Sequence, residues 1–296
     1  MVVPANIPSY QITELKSTGH NHKEFEFVLF EDFAKDIDHL LLPHRHNFYM
    51  LIFVSQGDGS HNIDFKNYPL KPNRQFFMSP GQIHSWNQLE NVSGFVVMFT
   101  RSFISVSNHH PDLNKFLFFN TTQYQPYSDL EKGTLESVVN IFELMKHEYF
   151  SNADFRESIL RSYLNVLLHL LARGYTGSKT AWANQQGVQT IRKFENLINE
   201  KYRTHRSAKD YAELLNLTPN YLNALCKKVT GHSSGELIRE RIMLEAKRLL
   251  VHTNQSVSEI AFNLKFEDNS YFCRFFKKYC GKSPAEFRDT HKFKMS

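Results

Sequence analysis

Asn220, Asn223, Ala224, Lys227 and Lys228 fall on one side of a helical pattern, and Asn269, Ser270, Cys273, Arg274 and Lys277 on one side of another. Asn pairs with adenine edges, and Lys and Arg pair with guanine or phosphate, so these residue types on exposed helical faces suit the reading of a DNA groove. A second group lies far upstream. His44 and His46 share a face if they stand on a strand, and His84 can oppose them. Three inward imidazoles can hold a divalent metal, line a pocket for a small polar ligand, or serve packing alone. Trp86, two residues beyond His84, offers a ring for stacking on a sugar or an aromatic molecule, or for core packing.

The elements that carry the first group form a repeat. Ser207–Gly231 and Ser256–Gly281 each read as a short helix with a small residue inside it (Ala212, Ala261) and then a polar turn. Each continues in a second helix that holds Lys-Lys and closes on Gly. This is the layout of a helix-turn-helix. Ser207 is placed to cap the first helix, and Thr218 before Pro219 marks the start of the second. Tyr211, Leu214 and Leu215 form one apolar face, and Leu222, Leu225 and Val229 recur at spacings of three and four on another. In the second unit the pattern turns Phe272, Phe275, Phe276 and Tyr279 inward. Between the units, Ser234–Thr253 reads as one long amphipathic helix, a rigid spacer of the kind that fixes the separation of two reading heads.

Charge follows the same division. Residues 188–296 hold 20 Lys and Arg against 12 Asp and Glu, a net of +8, whereas residues 1–187 hold 15 against 18. Such asymmetry places nucleic-acid contact in the C-terminal part alone. The 296-residue length allows two domains with their own cores, and 41% hydrophobic with 22% charged residues is an ordinary globular composition. No signal-peptide pattern and no run of about 18 apolar residues is present, which argues against a membrane partner. Cys226, Cys273 and Cys280 lack metal-site spacing and are expected as free thiols in a cytoplasmic protein.

The N-terminal half is strand-rich. Short β-type runs lie at Phe25–Phe30, Tyr49–Val54, Asn62–Phe65, Gln75–Met78 and Gly94–Phe99, separated by turn signals at Gly57-Asp58-Gly59, Lys71-Pro72-Asn73 and Pro80-Gly81. Regular short strands predict a closed barrel or a double sheet. Two helical patterns follow. Leu135, Val138, Val139, Ile141, Phe142 and Met145 read as a helix covering the barrel. The longer stripe Ile159, Leu160, Tyr163, Leu164, Leu167, Leu168 and Leu171 is expected to form a dimer seam. Gly174–Gly187 reads as an interdomain linker.

With these motifs on the page, the chain resembles the AraC/XylS family of transcription regulators over roughly residues 188 to 292. The residues that carry the likeness are Ser256-Val257, Glu259-Ile260-Ala261, Phe266, Tyr271-Phe272, Arg274, Phe276-Lys277-Lys278, Gly281, Ser283-Pro284 and Phe287-Arg288. Two departures stand out: Lys265 where the family usually has Gly, and Cys226 where it often has Phe. A left-handed backbone at Lys265 costs about 1 kcal/mol. His44-Arg45-His46 and Ser79–His84 also resemble the two motifs of a cupin barrel, over about residues 20 to 105. Met50 stands where cupin enzymes place their metal carboxylate.

The expected fold class is therefore α+β: an N-terminal cupin-like β-barrel with flanking helices, and an all-α domain of two helix-turn-helix units joined by a long helix. The expected boundaries are 1–127 for the effector domain, 128–173 for the dimerisation helices, 174–187 for the linker and 188–296 for the DNA-binding domain. The resemblance implies an effector-responsive, sequence-specific regulator, tilted toward activation. Its partners would be double-stranded DNA at an operator or promoter, a small effector (possibly a sugar), RNA polymerase and a second copy of the chain. No enzyme activity, cofactor or metal is expected. Two other readings stay open: a cupin-type metal enzyme fused to a DNA-binding module, and a regulator without a small-molecule effector.

Overall fold

Strands buried on both faces carry long unbroken apolar runs, and two such runs organise the N-terminal half. The computed structural model describes residues 7–15, 23–35, 41–105, 113–120, 124–175 and 186–292. They fall into two compact units, Pro8–Lys179 and Thr180–Ser296, the second joined by Met1–Ile7.

In the first unit β1 (Ser9–Tyr10) pairs in parallel with β3 (Arg45–His46). The main sheet is antiparallel and comprises β2 (Phe25–Leu29), β4 (Tyr49–Ile63), β5 (Lys66–Pro69), β6 (Arg74–Met78), β7 (His84–Phe99) and β8 (Tyr127–Asp129). Its order is β2-β7-β4-β6-β8, with β5 on β4. A short helix, α1 (Phe30–Lys35), follows β2, and α2 (Arg101–Ile104) follows β7. The expected strands at Tyr49–Val54 and Asn62–Phe65 are one strand, β4. Gly57-Asp58-Gly59 is not a turn but a bulged stretch within it, with register shifts between Val54 and Ser60. Bulges bend a strand and let it continue past a corner. Opposite them, a Cβ on Gly94 (φ +146°) would lie 1.9 Å from the Phe53 carbonyl oxygen, so only Gly fits.

Alternation then sorts the two faces. Met50, Ile52, Val54, Val96, Met98, Phe76 and Met78 join one core with Trp86. Phe53 and Phe95, on the opposite face, stack on Phe142 of α3 (Lys132–Tyr149) at centroid distances of 5.8 and 5.1 Å. Helix α3 covers the sheet as expected.

The expectation for α4 (Arg156–Gly174) is corrected. Leu160, Leu164, Leu167, Leu168 and Leu171 are buried inside the subunit, where α4 packs on α3 and α2. Arg161 pins this packing by donating from Nε to the Phe103 carbonyl at 2.8 Å. These five leucines are therefore core and not a free seam, while Ile159 and Tyr163 of the same stripe stay half-buried. Of the expected linker, residues 176–185 lie outside the described residues.

The second unit is helical: α5 (Gln186–Lys201), α6 (Ala208–Leu214), α7 (Pro219–Thr230), α8 (Ser234–His252), α9 (Val257–Asn263), α10 (Asn269–Cys280) and α11 (Pro284–Lys292). Its helix starts are marked in the sequence. Ser207, Ser233 and Ser256 form capping boxes with Asp210, Glu236 and Glu259, while Thr218 and Asp268 cap α7 and α10. Gly231 and Gly281 end α7 and α10 in the left-handed conformation (φ 79° and 78°). Helix α8 is the spine. It contacts α5, α6, α7, α9, α10 and α11 and buries residues all around its circumference. Inside it Arg241 and Arg248 both donate to Glu245 Oε2, at 3.2 and 3.4 Å, and Arg241 reaches Asn199 Oδ1 of α5 at 3.0 Å.

Candidate nucleic-acid interface and ligand site

Residues of α6 and α9 correspond at a separation of 49 (Ser207 with Ser256, Ala212 with Ala261), those of α7 and α10 at 50 (Leu222 with Phe272, Gly231 with Gly281). The second turn thus holds one extra residue, yet both turns pass through a left-handed residue, Asn216 (φ 55°) and Lys265 (φ 57°). Lys265 keeps the conformation that favours glycine, with its strain of about 1 kcal/mol.

Burial along α7 and α10 agrees position by position. Leu222 and Cys226 are buried in one, Phe272 and Phe276 in the other. Asn220, Ala224, Lys227 and Lys228, and likewise Asn269, Ser270, Arg274 and Lys277, are exposed. Val229 and Tyr279, expected inward, are exposed as well, because the last helical turn runs past the edge of the core. Leu225 and Phe275 are only half-buried, Leu215 likewise, and Leu214 is exposed. Cys226 takes the place of Phe276, and burial pushes its thiol up to about 12, so it is chemically quiet. Asn223 and Cys273 sit half-buried at the margin of the exposed face. Asn223 Oδ1 accepts from the Ser234 N–H and hydroxyl, both at 3.2 Å, which ties α7 to the start of α8. Cys273 Sγ lies 3.7 Å from Asn269 Oδ1. Two exposed aromatics that the sequence reading did not assign to the DNA face, Tyr221 and Tyr271, occupy matching positions in the first turns. The register of the repeat is the signal that finds them. Arg206, just before α6, donates to the Leu264 carbonyl and lies 3.8 Å over the Phe266 ring, bridging the two units.

The upstream histidines converge. His44 and His84 exchange backbone hydrogen bonds at 3.0 and 2.9 Å, and the Gly81 N–H donates to the His46 carbonyl at 2.9 Å, which joins the two motifs. The His84 ring lies 4.2 Å from His44 and 5.0 Å from His46. His61 is a further member that sequence reasoning missed. It is fully buried on β4 directly across from Trp86, stacks on that indole at 3.8 Å, and its Nε2 lies 2.8 Å from His84 Nδ1. Trp86 is buried, with one face against His61 and its surroundings completed by Phe30 and Phe33.

Protonation follows from partners. A carbonyl oxygen can only accept, so His46 carries its proton on Nδ1, which donates to the Phe48 carbonyl at 2.7 Å. Burial, reinforced by His44, holds the His46 pKa at about 3, and burial likewise holds His61 and His84 well below the usual imidazole range. His46, His61 and His84 are therefore neutral near pH 7. Four of its buried atoms lack a hydrogen-bond partner among the described residues: His46 Nε2, His61 Nδ1, His84 Nε2 and Trp86 Nε1. His46 Nε2 is an acceptor and the indole N–H a donor. The coupled pair shares a single proton between His61 Nε2 and His84 Nδ1, so its two outer nitrogens are one donor and one acceptor whichever ring owns that proton. Among the described residues no group of three or more His, Cys, Asp or Glu is arranged to hold a metal ion. Met50, at the position of the enzymes' carboxylate, is buried in the apolar core.

Residues 32–100 match the model of an AraC-like ligand-binding domain, and residues 211–290 match a helix-turn-helix domain model. The transcriptional activator RhaS of Mannheimia succiniciproducens is similar to nearly the whole chain, 23% identical over 270 residues that span 90% of this chain and 96% of the relative. The chain belongs to the AraC family. Other relatives match over shorter stretches. The Msm operon regulatory protein of Streptococcus mutans is 30% identical over 45% of this chain and 48% of its own length. The raffinose operon transcriptional regulatory protein of Pediococcus pentosaceus is 28% identical over 50% and 53%. This AraC-family chain is accordingly a DNA-binding transcription regulator. No helix among its described residues is long and apolar enough to cross a membrane.

Proposed function

We propose that this regulator is a cytoplasmic, effector-responsive activator, with the effector bound in the N-terminal sheet domain (residues 1–127) and the operator read by residues 188–296. The observation that carries the effector reading is the neutral imidazole–indole cluster with two donors and two acceptors unmatched among the described residues. A buried polar atom without a partner costs about 1–3 kcal/mol. Hydroxyl groups donate and accept at once, so an uncharged polyhydroxylated molecule satisfies all four atoms, whereas a carboxylate serves only the donors. The name of the raffinose operon relative is consistent with a saccharide in this role. Effector binding regulates only if one arrangement of the chain binds it better, and activation then passes to RNA polymerase at the promoter.

Assembly as a homodimer is proposed on a different face of α4 from the leucine stripe. Ile159, Tyr163, Val166 and Leu170 recur at spacings of four, three and four and remain partly or fully exposed, the spacing of a helical seam. Val166→Asp should give a folded monomer by sedimentation, whereas Leu164→Asp should unfold the N-terminal domain.

Thermal melting of the full chain with a panel of neutral mono- and disaccharides, sugar acids and aromatic acids tests the effector reading. At a ligand concentration 100 times its Kd the stabilisation is about 2.7 kcal/mol. A neutral saccharide should raise the melting temperature of the wild type and not of His84→Phe. Stabilisation by the acids alone would overturn the proposal.

A further inference from the structure

We infer that the two reading helices present equivalent faces to DNA but read different base chemistry: α10 a guanine through Arg274, and α7 a thymine-bearing pair through Ala224. The inference rests on the reading that these helices enter the major groove. The two helices are held in equivalent ways. Both helices begin on a capping side chain that accepts from the third residue's N–H, Thr218 to Tyr221 and Asp268 to Tyr271. Each sinks its fourth and eighth residues into the core, Leu222 with Cys226 and Phe272 with Phe276, and each ends on a left-handed Gly. Four residues thus set the rotation of each helix about its axis, and the same four positions do so in both.

With rotation matched, the exposed faces can be compared place by place. Tyr221 and Tyr271 are alike, about half exposed, and Lys227-Lys228 and Lys277-Lys278 are alike. Phenol hydroxyls and ammonium groups contact phosphates, so these shared residues set register without reading sequence. Exposed positions that differ include Asn220 against Ser270, but the sharpest contrast in donor chemistry is Ala224 in α7 against Arg274 in α10, both exposed. A guanidinium forks onto guanine O6 and N7, while a methyl side chain makes apolar contact with the thymine methyl and leaves guanine's acceptors without a donor. The recognised site is then asymmetric, with guanine confined to the segment read by α10.

Selection of bound sequences from a random DNA pool by the full-length protein, followed by titration of the selected sites, tests this. The wild type should enrich guanine at one position in one segment, and an A·T pair at the matching position about one helical turn away. Arg274→Ala should lose that guanine preference, a discrimination of about 5- to 150-fold. Ala224→Arg, at an exposed position of near-equal helix propensity, should install guanine at the matching position of the other segment, and Ala224→Gln should install adenine. If both Ala224 variants bind with the wild-type salt dependence and enrich neither base, the inference is overturned while groove entry by α10 stands. If no variant, Arg274→Ala included, changes affinity or preference, the groove reading itself falls with it.

Discussion

The two units of this regulator both bury polar groups, and they arrange them differently. In the helical unit, Arg241 and Arg248 share the Glu245 carboxylate inside α8, Arg241 also reaches Asn199, and Tyr202 lies 4.0 Å under the Arg241 guanidinium. In the sheet domain, His46, His61 and His84 are as deeply buried, and each has a ring nitrogen without a hydrogen-bond partner among the described residues. Protein-satisfied buried charge fixes the relative position of helices, here α5 against the spine. Buried polarity left unsatisfied by protein is a cost that folding alone does not repay. The first arrangement suits a scaffold, and the second suits the effector site proposed above.

Acid should distinguish the two units most strongly. The folded pKa of His46 is about 3 against 6.5 for a free imidazole, and His61 and His84 shift the same way. Between these values the unfolded sheet domain binds protons that the folded one does not, so its stability is complete above about pH 6.5 and falls as pH drops. In the helical domain the capping carboxylates Asp210, Glu236 and Glu259 are held below their usual range by their capping bonds, so their contribution is lost only below about pH 4.5. Near-ultraviolet circular dichroism should therefore show the sheet domain melting at a higher pH than the far-ultraviolet helical signal. A single coincident transition would remove the contrast.

A smaller effect is expected from Glu245→Ala. Removing the shared carboxylate leaves two buried guanidinium groups facing each other and should destabilise the helical domain by about 3–5 kcal/mol in denaturant titration. Replacing all three charged residues by apolar residues of similar volume should recover most of that loss. A loss below about 1 kcal/mol for the single variant would show that the network is solvated.

The smallest effect should come from His61→Phe. The ring keeps its stack on Trp86 and one partnerless nitrogen disappears, while His84 Nδ1 loses its partner, so the two changes offset and stability should change by only about 1 kcal/mol. Effector-dependent transcription should nevertheless fail. A variant that loses several kcal/mol while still responding would assign His61 to packing.

How far these features were legible in the sequence depends on the range over which they are set. Caps, the lysine pairs and the closing glycines of α7 and α10 are local, and Ser207, Thr218 and Pro219 announce them within one turn of chain. The break at Gly57-Asp58-Gly59 has the composition of a turn, but only the long pairing of β4 with β7 shows that the chain continues through it as bulges. His61 gave no local signal, because its partnership with Trp86 and His84 is made across strands.

Period and composition alone determined that this chain has two helix-turn-helix units, a basic C-terminal half and a strand-rich N-terminal half, since caps and 3.6- or 2-residue spacing act between near neighbours. Which apolar stripe is covered by the subunit itself is a property of packing. The leucines of α4 have the spacing of a seam, and they are buried because α3 and α2 lie against them. The placement of Asn223 is decided in the same way. Its type suits adenine, but the fold brings Ser234 to its oxygen and makes it a strut between α7 and α8. Spacing says which residues share a face; only the tertiary structure says what that face meets.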